Sequence, residues 1–152
     1  MSEAIVADYD QAILRDALEA RAAKGAGALA AMGAGVDVPV AIIMRNDVAQ
    51  LEVMRAAALA GTVLVALNWH GEVDEVAAIC DDSGAQHVII HRDLIAGLRP
   101  ALKGRSVIAV SPGPELCAAY AISSAAAASD PDLPEWDELV QSHQAIEHRE
   151  MM

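Results

Sequence analysis

The chain has 152 residues, a formal charge of −12 and an apolar fraction of 55% that contains no phenylalanine. That length suits one domain, which buries roughly 68–70% of its extended surface on folding. A surface so acidic, with Lys24 and Lys103 as its only lysines, argues against nucleic acid and anionic lipid as partners.

The first 35 residues predict a small hairpin and a helix. Residues 4–7 and 11–14 read either as two strands turning at Asp8-Tyr9-Asp10 or as an extension of the following helix. The helix runs from Arg15 to Met32 and ends near Gly33. Four short β-branched runs follow, "VAIIM" (40–44), "TVLVAL" (62–67), "HVIIH" (87–91) and "SVIAV" (106–110). Turn residues bound each run, as they bound buried strands. Between them, Asp47–Ala60 places Val48, Leu51, Met54 and Ala58 on one face, with Asn46 or Asp47 to cap it and Gly61 to end it. Glu72–Ser83 repeats this plan with Val73, Val76, Ala77 and Cys80, and stops at Gly84. Asp93–Lys103 is a weaker helix, because Gly97 and Pro100 both oppose one. Strands alternating with helices over 36–110 predict a βαβ core with a parallel sheet. Residues 111–133 read as a connector, and 134–150 as a C-terminal helix with Trp136, Leu139, Val140, His143 and Ile146 on one side.

Few motifs name a reaction by themselves. "GAGALA" (25–30) imitates a dinucleotide fingerprint, but a helix pattern leads into it where a strand is required, so a tightly packed small-residue helix is the better reading. His87 and His91 have metal-ligand spacing only on a helix; on a strand they bracket a core run. His143 and His148 read as solvated or partly packed. Asp74, Glu75, Asp81 and Asp82 read as a solvated helix face. Cys80 and Cys117 match no metal spacing and suit a reduced core. The N-terminus "MSEAIVADYD" lacks the charge and apolar run of a signal peptide, and no stretch reaches the roughly 18 apolar residues of a membrane span. Catalytic and metal-ligating residues are therefore expected nowhere in the chain, and its compartment is expected to be the cytoplasm. One corner stands out. Asn68-Trp69-His70 follows a buried strand at its carboxyl end, the edge where open α/β sheets bind ligands. Asn68 can bond the turn backbone, and His70 can donate to an anion.

Residues 36–95 resemble the N-terminal part of the AMP-forming acyl-CoA synthetases, the adenylate-forming superfamily. The stretches that carry the resemblance are "VPVAIIMRNDVAQLEVMRAAALAGTVLVALNWH" and "DEVAAICDDSGAQHVIIHRDL". They hold, in order, a Val-Ala strand, an Asn, a helix ending Ala-Gly, a strand ending Leu-Asn, a helix closing Asp-Ser-Gly-Ala and a further strand. "ARAAKGAGALAAMGAGV" resembles the helix that precedes these elements, which favours the hairpin for residues 4–14. "LPEWDELVQSH" resembles the segment before the family's phosphate loop. The resemblance implies a three-layer α/β fold, flavodoxin- or Rossmann-like, with a mainly parallel sheet and helices on both faces: the N-terminal subdomain of the adenylate-forming fold.

The resemblance also implies chemistry. ATP activates a carboxylic acid to an acyl-adenylate, and the thiol of CoA displaces AMP. The family's Ser/Thr/Gly-rich loop with its Lys, its nucleotide motifs and its C-terminal catalytic Lys are absent from this sequence. ATP, CoA and Mg²⁺ are thus expected with the parent enzyme and none held tightly by this chain, which is expected to be inactive alone. The family often has Arg at the position of His70, and in some members that residue contacts a CoA phosphate. His70 departs from this, lacking a permanent charge and a two-pronged donor. It is nevertheless the implied CoA contact, with Trp69 and Asn68 shaping the turn. The expected acyl substrate is a fatty or other large acyl acid. The expected partners are a downstream domain or further copies of the chain. A free-standing flavodoxin-like interaction module and a non-catalytic scaffold are the alternatives; a receiver-type phospho-acceptor is weak, since Asp47 lies three residues past its strand.

Overall fold

A computed structural model describes residues 4–128 and 130–146. The elements in order are β1 (Ile5–Ala7), β2 (Ala12–Leu14), α1 (Arg15–Ala31), β3 (Val40–Ile43), α2 (Val48–Ala60), β4 (Leu64–Ala66), α3 (Val73–Ser83), β5 (His87–His91), a 3₁₀ turn (Arg92–Leu94), α4 (Ile95–Leu102), β6 (Ser106–Val110), α5 (Pro114–Ala119) and α6 (Trp136–Ser142).

The sheet is parallel throughout, in the order β4-β3-β5-β6. Val40 lies beside Leu64 on one side and His87 on the other, and Ile90 beside Ala109. Because side chains alternate across a strand, one sheet feeds two cores. Val40, Ile42, Ile89 and Ile108 pack with Ala22, Ala26 and Leu29 of α1, Val53 and Ala56 of α2, and Trp136 of α6. Ala41, Ile43, Val88 and Ile90 pack on the other face with Val76 and Cys80 of α3 and Leu98 and Leu102 of α4. This is the three-layer parallel α/β architecture expected from the sequence. The hairpin alternative for residues 4–14 also holds, β1 and β2 pairing antiparallel with Ile5 opposite Leu14.

The stops of α2 and α3 fall where they were read. Gly61 and Gly84 end α2 and α3 in left-handed conformation, φ 71° and 73°, which glycine reaches without strain. Asp47 caps α2 by accepting from the N–H of Gln50. "GAGALA" lies inside α1, as a close-packing surface. A Cβ on Gly25 would sit 2.6 Å from the Trp136 ring.

Four readings need correction. Of the α2 stripe Val48, Leu51, Met54 and Ala58, only Val48 is buried; the helix packs through Val53, Ala56, Ala57 and Ala60, and the other three face outward. The C-terminal helix is seven residues long, Trp136–Ser142, not 134–150. His143 adopts extended backbone, and residues 144–146 have no helical structure. Tertiary contacts end the helix. The Ile146 N–H donates to the Ala23 carbonyl (3.2 Å), and the chain at Gln144 lies directly over Gly27. Residues 147–150 of that reading, His148 among them, lie outside the described residues. The connector 111–133 is not wholly loose: it contains α5, whose first turn is capped from afar by Asp10, which accepts from Glu115 N (2.6 Å) and Leu116 N (3.1 Å). The β4 strand is shorter than "TVLVAL", and Thr62 instead donates to the carbonyls of Gly35 and Val38. Among the described residues no helix is long and apolar enough to cross a membrane.

Candidate functional site

Parallel strands deliver their carboxyl ends to one edge, so the residues just after β3, β4 and β5 gather there: Arg45–Asp47, Asn68–His70 and Arg92–Asp93. The backbone of the predicted corner is set locally. The Leu67 N–H donates to the Ile42 carbonyl (2.9 Å), carrying sheet pairing up to the turn. The Asn68 side-chain oxygen accepts from the His70 N–H (3.0 Å), and the Asn68 carbonyl accepts from Gly71 N (2.9 Å). Asn68 thus bonds the turn backbone as its position suggested. Asn68 and His70 are exposed and Trp69 is half-buried. The Trp69 and His70 rings face each other, with centroids 3.4 Å apart and planes tilted by 32°.

Four further residues hold this corner. Arg45 grips Asp93 with a two-pronged pair, Nη1 to Oδ1 at 2.9 Å and Nη2 to Oδ2 at 2.8 Å, both side chains buried. The Arg45 guanidinium also lies against Trp69 (4.5 Å from its ring centre) and Tyr120 (4.9 Å). Trp69 and Tyr120 meet edge to face at 5.3 Å. The Arg45 backbone is held as well, its N–H donating to Nδ1 of the fully buried His91 (2.9 Å). Since Nδ1 accepts, the ring proton lies on Nε2, which donates to Asp47 (2.8 Å). His91 therefore does more than bracket a core run. Together with Asp47 it ties the ends of β3 and β5 to the start of α2. His87 is also buried and sits away from this edge, where burial lowers its pKa against a partly offsetting bond to the Met32 backbone.

The hairpin turn belongs to the same construction. Asp8 accepts from Val48 N (2.7 Å) at the start of α2 and from Asp10 N (2.7 Å) and Gln11 N (2.9 Å) in its own turn. Burial opposes its ionisation, but the three donors together outweigh that and hold its pKa below the usual value. A cleft of about 600 Å³ opens elsewhere, lined by Arg21, Glu52, Ser111, Glu135 and Trp136 among others. Its main polar groups pair with one another. Glu52 accepts from Arg21 and from the Trp136 indole (2.9 Å each), and Glu135 takes Ser111 and Arg92. Among the described residues no group of three or more His, Cys, Asp or Glu is placed to hold a metal.

Sequence reading located Asn68, Trp69 and His70 but missed Arg45, Asp93, His91 and Tyr120. A charged pair, Arg45 and Asp93, in loops after adjacent strands was the available signal. Tyr120 offered none, because only the docking of α5 brings it to the corner.

The corner stands at the carboxyl ends of an open parallel sheet, the edge where ligands bind in α/β folds of this kind. The profile of the family described as AMP-binding enzyme matches residues 2–147, and the chain belongs to that family. Among solved structures it is similar to a benzoate CoA ligase from Burkholderia xenovorans LB400, at 23% identity and TM-score 0.75 over 97% of this chain and 27% of that one. It is similar to apo MatB from Rhodopseudomonas palustris, at 20% identity and TM-score 0.71 over 93% of this chain and 25% of that one. A third is the anthranilate CoA ligase AuaEII in complex with anthranoyl-AMP, at 14% identity and TM-score 0.69 over 91% of this chain and 26% of that one. At these identities the likeness establishes the fold, that of the N-terminal α/β part of adenylate-forming enzymes. The chain spans about a quarter of the length of these structures. No curated protein matches it.

Proposed function

We propose that this chain is the N-terminal portion of a cytoplasmic AMP-forming acyl-CoA ligase. The parent enzyme activates a carboxylic acid with ATP and Mg²⁺ to an acyl-adenylate and passes the acyl group to CoA. The match to the AMP-binding enzyme family over residues 2–147 carries this reading. The chain's own contribution is the corner at the sheet edge. There the exposed His70 imidazole offers an N–H donor to CoA, Trp69 backs it, and Asn68 sets the turn. A fatty or other large acyl acid is the proposed substrate, on the resemblance of the Asn-Trp-His corner to members of that kind.

The 152 residues contain no Ser/Thr/Gly-rich phosphate loop with a Lys. Donors of that type stabilise charge on the transferring phosphoryl group, and without them the step slows by orders of magnitude. The chain alone is therefore proposed to be inactive, its missing parts coming from a downstream domain. Exposed Leu51, Met54 and Val63 support the need for a covering partner, which further copies of the chain would also satisfy. Two experiments test the reading. Pyrophosphate release by the purified chain with ATP, Mg²⁺ and a panel of carboxylic acids is expected to stay at background; sustained turnover refutes the inactivity. CoA titrated against wild type and His70→Ala is expected to bind wild type more tightly, and equal affinities remove His70 from the site.

A further inference from the structure

We infer that Tyr120 and Arg45 are positioning residues that preassemble the corner, holding Trp69 and, through it, the His70 ring. This deepens the proposed CoA contact and rests on that reading for its functional meaning.

Three separated segments converge here. Arg45 comes from the end of β3, Trp69 and His70 from the end of β4, and Tyr120 from the end of α5. Each is anchored independently of the others. Arg45 is fixed at its backbone by His91 and at its side chain by Asp93. Tyr120 is placed by α5, whose first turn Asp10 caps, and its own N–H donates to the Leu116 carbonyl (3.1 Å). The residue after it, Ala121, takes a left-handed backbone at φ 53°, turning the chain away just past the ring. Trp69 packs at the margin of the core cluster that holds Leu67 and Val76, and there meets a guanidinium and a tyrosine ring already in place, with the His70 imidazole against it.

The charge balance points to the same role. Arg45 is the cation touching the aromatic pair, yet its two Nη atoms are both taken by the Asp93 carboxylate and its side chain is 5% exposed. Its charge is thus already neutralised within the protein, and it acts as a flat, rigid support. Tyr120 is 41% exposed, so it adds little core, and its ring stands nearly perpendicular to that of Trp69. An exposed His70 on a flexible turn would lose rotamer freedom on contacting a ligand; a ring already held against Trp69 does not.

The test uses the 152-residue chain and the NMR signals of the His70 ring, assigned by their loss in His70→Gln. Stacking on Trp69 is expected to displace these signals upfield in wild type. Tyr120→Leu is expected to lose most of that displacement with an unchanged far-ultraviolet circular dichroism spectrum, and Tyr120→Phe to retain it. Arg45→Lys keeps the charge but removes the flat two-pronged group, and is expected to behave like Tyr120→Leu. Should Arg45→Lys fail to fold, the exposed Tyr120 decides alone. A His70 displacement unchanged in folded Tyr120→Leu overturns the inference. Adding CoA to wild type separates the two readings: if the His70 signals ignore CoA while still depending on Tyr120, the positioning stands and the CoA contact fails.

Discussion

Replacing Gly25 by alanine should destabilise the protein, although the same change stabilises most helices. Gly25 lies inside α1, where an alanine is ordinarily worth about 1 kcal/mol over glycine. Here the added methyl would stand 2.6 Å from Cη2 and Cζ2 of Trp136 and 3.2 Å from Cβ of Ala56. The helix backbone cannot retreat, because Ala22, Ala26 and Leu29 are fully buried on the same face. The indole must move instead. Overpacking of that kind costs about 1–3 kcal/mol. Displacing the indole also strains its 2.9 Å bond to Glu52, a buried carboxylate, and losing such a bond costs about 1.5–3 kcal/mol. Partial relaxation and the helix gain leave a net loss of about 1–3 kcal/mol. Gly97 in α4 is the control: it is exposed, and a Cβ there meets nothing within 4 Å. Gly97→Ala is expected to stabilise by about 0.5–1 kcal/mol. Urea unfolding followed by circular dichroism and tryptophan fluorescence reads both. A Gly25→Ala variant at least as stable as wild type would refute the account of how α6 seats on α1.

Three further outcomes are expected. Asp93→Ala strands the buried Arg45 and should cost about 3–5 kcal/mol, with Asp93→Leu/Arg45→Met losing much less; equal losses in urea midpoint would mean the pair is not buried as described. The pKa of Asp8 is lowered in the fold, so its stabilisation is present above the ordinary carboxylate value near 3.8 and lost as pH falls through the lower folded value. Asp8→Asn should flatten the acid limb of the stability curve, and an unchanged limb refutes the three-donor arrangement. His87 is also lowered, by burial, so protonation favours the unfolded chain and stability should decline as pH falls below about 6.5. Melting temperatures compared between pH 8 and pH 5 should show a smaller decline in His87→Phe than in wild type.

Much of the architecture was legible because it depends on local pattern. "VAIIM", "HVIIH" and "SVIAV" are short, β-branched and bounded by turns, and a parallel sheet is their economical arrangement once helices lie between them. Asp47, Gly61 and Gly84 marked helix ends by backbone chemistry that acts within a few residues. Asn68 likewise shapes its turn through a bond two residues long. The C-terminal helix was overread for the opposite reason. Its apolar spacing continues through Ile146, but Ile146 and Gln144 are drawn onto α1 as non-helical chain, and those tertiary contacts outweigh a weak helical preference.

The sequence by itself thus determined where the strands and helices lie, two of the helix stops and the polar turn after β4, since each rests on patterns and bonds between near neighbours. Only the tertiary structure decided what stands behind that turn. Arg45 and Trp69 lie 24 positions apart, Trp69 and Tyr120 51, and Asp10 and Glu115 105; no local periodicity reports contacts over such separations. They form because parallel strands bring their carboxyl ends to one edge, and because Asp10 captures the free N–H groups of α5 and so carries Tyr120 into place.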